Sequence, residues 1–427
     1  MKRITIGIGI CLLLLATAVA VWLMLANRNP DLDQTAAPVT NHEQQLAQGK
    51  YLARVGNCMS CHTARGGAAY AGGRAIPTPF GTIYASNLTP DPETGLGNWN
   101  SDDFWRAMHD GRSRDGSLLY PAFPYTNYTK VTRADADAIF AWLQTLPAVK
   151  QKNRAPELRA PFDNRALLLA WRALYFRPGQ YQEDSSQSVE WNRGAYLVQG
   201  LGHCSACHST RDRLGGIGLK AELEGGLIPS LNWYAPALNA DSLATWEQQH
   251  LAAFLKNGVT PQRAVTGPMA EVVANSLQYL TQEDVQAMAS YLKMRPADNN
   301  ASITSTDNLQ SDEKQAIIAS GARLYENQCV NCHQASGQGI PSVYPALAGN
   351  QAVTAPLATN PIRLVLHGGF APSTDGNPRP YGMPPFGQIM TDAEIAAVVS
   401  YIRNAWGNQA SAVSAHEVNQ YRSQEGL

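Results

Sequence analysis

The sequence of 427 residues has no surplus of charge of either sign: 33 Lys and Arg stand against 34 Asp and Glu, a formal net charge of −1. Without a basic excess nothing points to nucleic acid, and no acidic tail marks a solvating segment. No Gly-x-Gly-x-x-Gly opens a βαβ unit and no metal-hydrolase signature is present, so the chain shows no sign of oxidising or hydrolysing a substrate by itself. Cysteine is scarce, at seven, and six of the seven sort into three close pairs. None is left over in the rest of the chain for a disulfide framework. Gly and Pro, by contrast, are plentiful at 35 and 26, which predicts long irregular loops between short helices. The length suggests two to four domains at roughly 100 to 200 residues each.

The N-terminus reads Met1-Lys2-Arg3 and then runs apolar from Ile4 to Ala26. A cleaved signal peptide has an apolar core of about 7 to 15 residues and a small-residue cleavage site. This run has 23 residues, enough for a bilayer core of about 30 Å at about 1.5 Å per residue. Leu25-Ala26-Asn27-Arg28 is a poor cleavage site. Residues 1–27 are therefore read as an uncleaved transmembrane anchor, with a cleaved signal as the competing reading, and Lys2 and Arg3 keep the short end in the cytoplasm. Either way the bulk of the chain is exported. The seventh cysteine, Cys11, lies in this run, and Gly7-Ile8-Gly9-Ile10 before it is not the lead expected of a lipid-bearing cysteine.

A repeat sets the architecture. The pairs Cys58/Cys61, Cys204/Cys207 and Cys329/Cys332 each enclose two residues and are each followed by a histidine: His62, His208 and His333. Upstream of each lies a short helical segment containing Gly49, Gly194 or Gly321. Downstream of each lies a helix start with capping-box chemistry: Thr132-x-x-Asp135, Thr281-x-x-Asp284 and Thr391-x-x-Glu394. Trp142, Tyr291 and Tyr401 sit ten residues after these threonines, and the helices stop at Pro147, Pro296 and Gly407. The domains are therefore placed at 44–150, 190–297 and 315–407. The connector 151–189 contains an apolar and basic stretch, Arg165 to Phe176, read either as a helix packed on a domain or as a docking surface. The linker 298–314 and the tail 408–427 are polar.

Cys-x-x-Cys-His is the attachment signature of a c-type haem. Two thiols at this spacing reach the two vinyl groups of one porphyrin, and the adjacent histidine becomes the proximal iron ligand. Zinc needs four ligands from neighbouring segments, whereas these pairs lie more than a hundred residues apart, each with its own histidine. A thioredoxin-like dithiol lacks the βαβ unit to hold it. Three covalent haems c follow.

For the sixth iron ligand, Met269 lies 61 residues after His208 in Gly267-Pro268-Met269, and Met383 lies 50 after His333 in Gly382-Met383-Pro384. Met288 and Met390 compete less well, the one within the last helix of domain 2 and the other at the start of that of domain 3. The residue 61 after His62 is Phe123, which cannot ligate iron. Met59 lies inside the attachment loop. The open outcomes for the first haem are His109, Met108 or five-coordination. Aligned on Gly111, Gly258 and Gly369, His109 falls opposite Lys256 and His367, a helix C-terminus that favours a basic residue. His203 precedes Cys204 and is a weak candidate; His42, His250 and His416 are read as surface residues.

With these motifs in hand, the chain resembles the three-haem cytochrome c subunit of periplasm-facing, membrane-bound dehydrogenases that oxidise alcohols, gluconate, sorbitol or fructose, and aldehydes. The resemblance covers about 44–407. It rests on the three attachment motifs and on phrases such as Gly81-Thr82-Ile83-Tyr84, Asn87-Leu88-Thr89-Pro90-Asp91, Tyr120-Pro121-Ala122, Gly200-Leu201-Gly202-His203-Cys204 and Met383-Pro384-Pro385-Phe386. It implies an all-α fold of three tandem class I cytochrome c-like domains behind an N-terminal transmembrane helix. It also implies a separate catalytic subunit, a quinoprotein, flavoprotein or molybdenum enzyme, that hands electrons to this one for delivery to ubiquinone, a terminal oxidase or the wider respiratory chain. The expected location is the inner (cytoplasmic) membrane with the soluble domains in the periplasm. Many members carry Met where this chain has Phe123. Two other functions compete: an independent haem enzyme or small-ligand binder, peroxidase-like, using an open iron in domain 1, and a cytochrome subunit of a terminal oxidase.

Overall fold

Helix α1 (Lys2–Ala26) opens the computed structural model, which describes residues 2–35, 38–218, 221–228, 230–298 and 310–423. Domain 1 follows with α2 (His42–Val55), a single turn at Cys58–Cys61, the hairpin β1 (Ala75–Thr78) and β2 (Gly81–Tyr84), α3 (Ser101–Asp110) and α4 (Arg133–Leu143). The connector supplies β3 (Glu157–Leu158) and α5 (Leu167–Tyr175). Domain 2 contains α6 (Val189–Gln199), β4 (Gly226–Ile228), β5 (Trp233–Ala235), α7 (Gln248–Asn257), α8 (Pro268–Asn275) and α9 (Gln282–Met294). Domain 3 contains α10 (Ser311–Gln328), α11 (Thr359–His367), β6 (Gly369–Phe370), β7 (Gly382–Met383) and α12 (Asp392–Asn404), and α13 (Ala415–Arg422) packs behind it. Of the polar linker and tail, residues 299–309 and 424–427 lie outside the described residues.

The same helix crossing is built three times, α2 on α4, α6 on α9 and α10 on α12. A glycine makes each crossing possible. A Cβ on Gly49, Gly194 or Gly321 would lie 1.9, 1.9 or 2.0 Å from the carbonyl oxygen of Ala138, Ala287 or Ala397. With hydrogen in that place the two backbones touch. Around the crossings Leu52, Ile139, Leu197, Val285, Ile395 and Val399 are fully buried, each contributing about 1.5–3 kcal/mol by removal from water. All three final helices start as the threonines predict: Thr132, Thr281 and Thr391 accept from the backbone N–H of Asp135, Asp284 and Glu394.

Two of the three capping acids do something the repeat did not announce. Glu394 folds back on its own helix start, accepting from the Thr391 N–H at 2.8 Å. Asp135 and Asp284 instead accept from a tyrosine of the other domain. Tyr51 of domain 1 donates to Asp284 at 2.5 Å and accepts from the Thr281 N–H at 3.2 Å. Tyr196 of domain 2 donates to Asp135 at 2.5 Å and accepts from the Thr132 N–H at 3.1 Å. Tyr51 and Tyr196 occupy the same place in the repeat, two residues after Gly49 and Gly194; domain 3 has Arg323 there. Domains 1 and 2 therefore clasp each other reciprocally and share one apolar core. Domain 3 keeps a core of its own. Its contacts with domain 2 include polar ones, such as Asn360 paired with both backbone groups of Tyr234 at 2.8 and 2.9 Å.

Two expectations of fold are corrected. Among the described residues no helix is long and apolar enough to cross a membrane, which overturns the expectation of an N-terminal transmembrane helix. The end of α1 is instead held by protein, where Asn27 donates to the Leu169 carbonyl and accepts from Arg172 of α5. Nor is the chain all-α. Among the described residues helices make up less than half, and three small antiparallel sheets, β1-β2-β3, β4-β5 and β6-β7, are folded from loop segments. The Gly- and Pro-rich composition favours such short extended pieces over further helix. The connector is tied to domain 1 at several points, among them β3 pairing with β2 and fully buried Arg172, whose guanidinium meets buried Asp110 at 2.7 Å.

Candidate haem-binding sites

Each Cys-x-x-Cys-His segment closes one helical turn, so that the first cysteine and the histidine face the same way. The N–H groups of His62, His208 and His333 donate to the carbonyls of Cys58, Cys204 and Cys329, all at 2.9 Å. The residue before the first cysteine is left-handed in two of the loops, Asn57 at φ 51° and His203 at φ 35°, which turns the chain sharply out of the preceding helix.

The three imidazoles are oriented alike. Nδ1 of His62 lies 2.7 Å from the Ser86 carbonyl, Nδ1 of His208 2.7 Å from the Pro236 carbonyl, and Nδ1 of His333 3.0 Å from the Pro345 carbonyl. A carbonyl can only accept, so Nδ1 carries the proton and Nε2 keeps a free lone pair. Burial pushes all three histidines below their ordinary range despite these carbonyls, so they are neutral, as a metal ligand must be.

All six cysteines are unpaired. Burial pushes the thiols of Cys58 and Cys204 up to about 12 and that of Cys329 up to about 11. Cys61 and Cys207 are raised by the same cause. Such thiols stay protonated, unlike the thiolates of a redox dithiol or a zinc site. Among the described residues, no cluster of three or more His, Cys, Asp or Glu could hold a metal ion. Two thiols and one oriented imidazole in a single turn, against an apolar wall, fit a covalently held porphyrin.

The methionines divide. Met269, second residue of α8, is half-buried against the shared core of domains 1 and 2, which Cys58 and Cys204 also meet. Met383 ends β7, is half-buried, and packs with Cys329 against the core of domain 3. Met288 and Met390 are buried in those cores. In domain 1, Phe123 is half-buried and meets Tyr128 edge-on at 5.2 Å. Tyr128 in turn donates to the Gly56 carbonyl at 3.3 Å, beside the first attachment turn. Met108 is core. His109 is fully buried, stacked on Trp105 at 4.2 Å, with Nε2 3.3 Å from Asp31. Its pKa is lowered by burial, against the pull of Asp31. His203 is half-buried and touches the Tyr128 ring; His42, His250 and His416 are exposed.

A sequence model of the cytochrome c family matches residues 46–147, 192–295 and 318–406, one stretch for each attachment motif. The chain belongs to the cytochrome c family. This cytochrome is 39% identical over 387 residues to a subunit of the nicotinate dehydrogenase of Pseudomonas putida, covering 88% of its own length but only 32% of that protein. It is 37% identical over 403 residues to the cytochrome c subunit of the quinone-type alcohol dehydrogenase of Gluconobacter oxydans, covering 89% of this chain and 83% of that one. It is 36% identical over 401 residues to the gluconate 2-dehydrogenase cytochrome c subunit of Pantoea cypripedii, covering 89% and 90%. The chain thus spans about a third of the first relative and most of the other two. The cytochrome carries three covalently bound haems c and is an electron-transfer protein.

The structure also brings to these sites residues that the motifs gave no reason to single out. Asn127 of domain 1 donates to Ser205 Oγ, inside the second attachment loop, at 2.8 Å. Asn275 of domain 2 donates to Ser60 Oγ, inside the first, at 2.9 Å. Each of the two domains steadies the other's loop. The available signal was the repeated tyrosine after Gly49 and Gly194, absent after Gly321.

Proposed function

We propose that this cytochrome is the electron-transfer subunit of a dehydrogenase complex, taking electrons from a catalytic subunit and passing them through its three haems to a quinone or another respiratory acceptor. The observation that carries this reading is the serial arrangement of three oriented attachment sites on one chain, together with near full-length similarity to two cytochrome subunits of dehydrogenases. The haems supply one-electron storage. Cys58 and Cys61, Cys204 and Cys207, and Cys329 and Cys332 hold them by thioethers, and His62, His208 and His333 present Nε2 to the irons. Met269 and Met383 supply the sixth ligands of the second and third haems, favouring the reduced state and so the acceptance of electrons.

At the first haem we assign no side-chain sixth ligand. Phe123 takes the place in the repeat that Met269 holds in domain 2, His109 is engaged with Asp31 and Trp105, and Met108 is core. This open position does not make the chain a free-standing enzyme, a reading that its relatives do not favour. Export puts the haem domains on the periplasmic side, and the complex brings them to the cytoplasmic membrane. The substrate class of the partner is an alcohol, a sugar acid or an aldehyde, and its cofactor a quinone, flavin or molybdenum centre.

Affinity purification from the native host tests this. A dehydrogenase subunit should co-elute, and its substrate should reduce all three haems, with reoxidation by added ubiquinone analogue. Elution alone, with no reduction by any dehydrogenase substrate, would sink the reading.

A further inference from the structure

Two arginines do the same thing at the first two attachment loops, and they differ in one respect. Arg74 donates from Nη1 to the carbonyl of Ser60 at 2.5 Å, and Arg211 donates from Nη2 to the carbonyl of Ala206 at 2.9 Å. Ser60 and Ala206 are the same position of the motif, the residue before the second cysteine. The two arginines are not equivalent in sequence: Arg74 follows His62 by 12 residues and Arg211 follows His208 by three. Each guanidinium is therefore held against the backbone of its attachment loop, one residue before the second cysteine, Cys61 or Cys207.

The charges are treated differently. Arg74 is clamped in bidentate fashion by Glu271, with Nη1 on Oε1 and Nη2 on Oε2 at 3.0 Å. Glu271 belongs to domain 2 and lies on α8, two residues after Met269. Arg211 has only carbonyl partners, Ala206 and Gly215, the latter at 2.8 Å; among the described residues no carboxylate pairs with it. Nearby, the Arg295 guanidinium is paired with the buried Glu224 carboxylate at 2.6 Å and also donates to the Glu222 backbone carbonyl. The arginine bonded to the first loop thus has a carboxylate partner, and the one bonded to the second has none among the described residues.

We propose that Glu271 and Arg211 set the relative potentials of the first two haems, with Glu271 cancelling Arg74 beside the first and Arg211 left uncancelled beside the second. Reduction adds an electron, so an uncancelled cation near a haem favours the reduced form and a cancelled one does not. The asymmetry draws the electron of the clasped pair towards the second haem. Because the Arg74–Glu271 pair is more than a third exposed, at 38% and 41%, solvent screens it and its effect is the smaller of the two. The inference rests on the haem positions proposed above.

The test is an optical redox titration of the full-length holoprotein, with Glu271→Gln, Arg211→Gln and Arg211→Lys. Wild type shows three midpoints; fewer than three would sink the haem assignment itself rather than the tuning. Glu271→Gln should raise one midpoint. Arg211→Gln should lower a different one, by more, and Arg211→Lys should restore it. The midpoint unmoved by either belongs to domain 3. The proposal is overturned if neither variant shifts a midpoint, or if both shift the same one. Glu271→Gln, at a half-exposed surface pair, keeps the question answerable if Arg211→Gln does not fold.

Discussion

A phenyl ring at position 123 offers iron no lone pair, while the thioether of Met269 does. If the first haem has no protein ligand opposite His62, carbon monoxide should bind one haem in three of the ferrous protein, seen as a difference spectrum. Phe123→Met should abolish that binding and raise one midpoint. Carbon monoxide bound equally well by the Met variant would count against the assignment, whereas His109→Ala should leave the spectrum as it is. Tyr196 makes a second point at this scale. Its hydroxyl serves both the Asp135 carboxylate and the Thr132 N–H in a buried place. Tyr196→Phe should therefore cost about 1.5–3 kcal/mol in urea unfolding, the range for a hydrogen bond to a charged group. Neither residue's role was open to the same kind of reading. That no methionine stands at the place of Phe123 was legible by counting from His62, because spacing within a repeat survives as sequence. The partner of Tyr196 was not, because Asp135 lies 61 residues away in another domain and no local rule chooses it.

At the level of helices, the segments that make the three crossings were legible, though not the crossings themselves, because each follows a local grammar: glycine, attachment turn, threonine cap, aromatic, stop. The grammar broke where an acid had a choice. Glu394 caps its own helix, while Asp135 and Asp284, at the same position, are drawn away by tyrosines. The apolar run at the N-terminus was also only half legible. Its helicity follows from composition, but the way Asn27 docks on α5 depends on Arg172, far along the chain. Crossing glycines give the sharpest element-scale prediction. Gly321→Ala forces a methyl to 2.0 Å from the Ala397 carbonyl, so α10 and α12 must separate. The expected loss is about 1–3 kcal/mol, the cost of overpacking, confined to domain 3. Urea unfolding followed by the visible band of Met-ligated haem should show one haem lost early, with the other two unaffected.

Across the whole molecule the clasp between domains 1 and 2 is sensitive to acid. Burial pushes Asp284 up, but hydrogen bonds from Arg193 and Tyr51, and the charge of Arg193, outweigh it and hold the carboxyl below its ordinary range. Burial, and then the bond to Asp284, push Tyr51 up to about 12, so it remains a donor throughout. A carboxyl with a depressed folded-state pKa stabilises the fold fully above its unfolded value of about 3.9, and that contribution fades as pH falls through the folded value. Unfolding midpoints taken from pH 6 down to pH 3 should therefore fall less steeply in Asp284→Asn than in wild type. Parallel curves would mean that Asp284 carries no such linkage.

Two clasped units round one interior and a third round another also set how the protein comes apart on heating. A calorimeter should record two peaks of absorbed heat, one for the pair and one for the last unit. A cut between residues 298 and 310 should leave the first of those peaks where it was, on a polypeptide that still holds two of its three pigments.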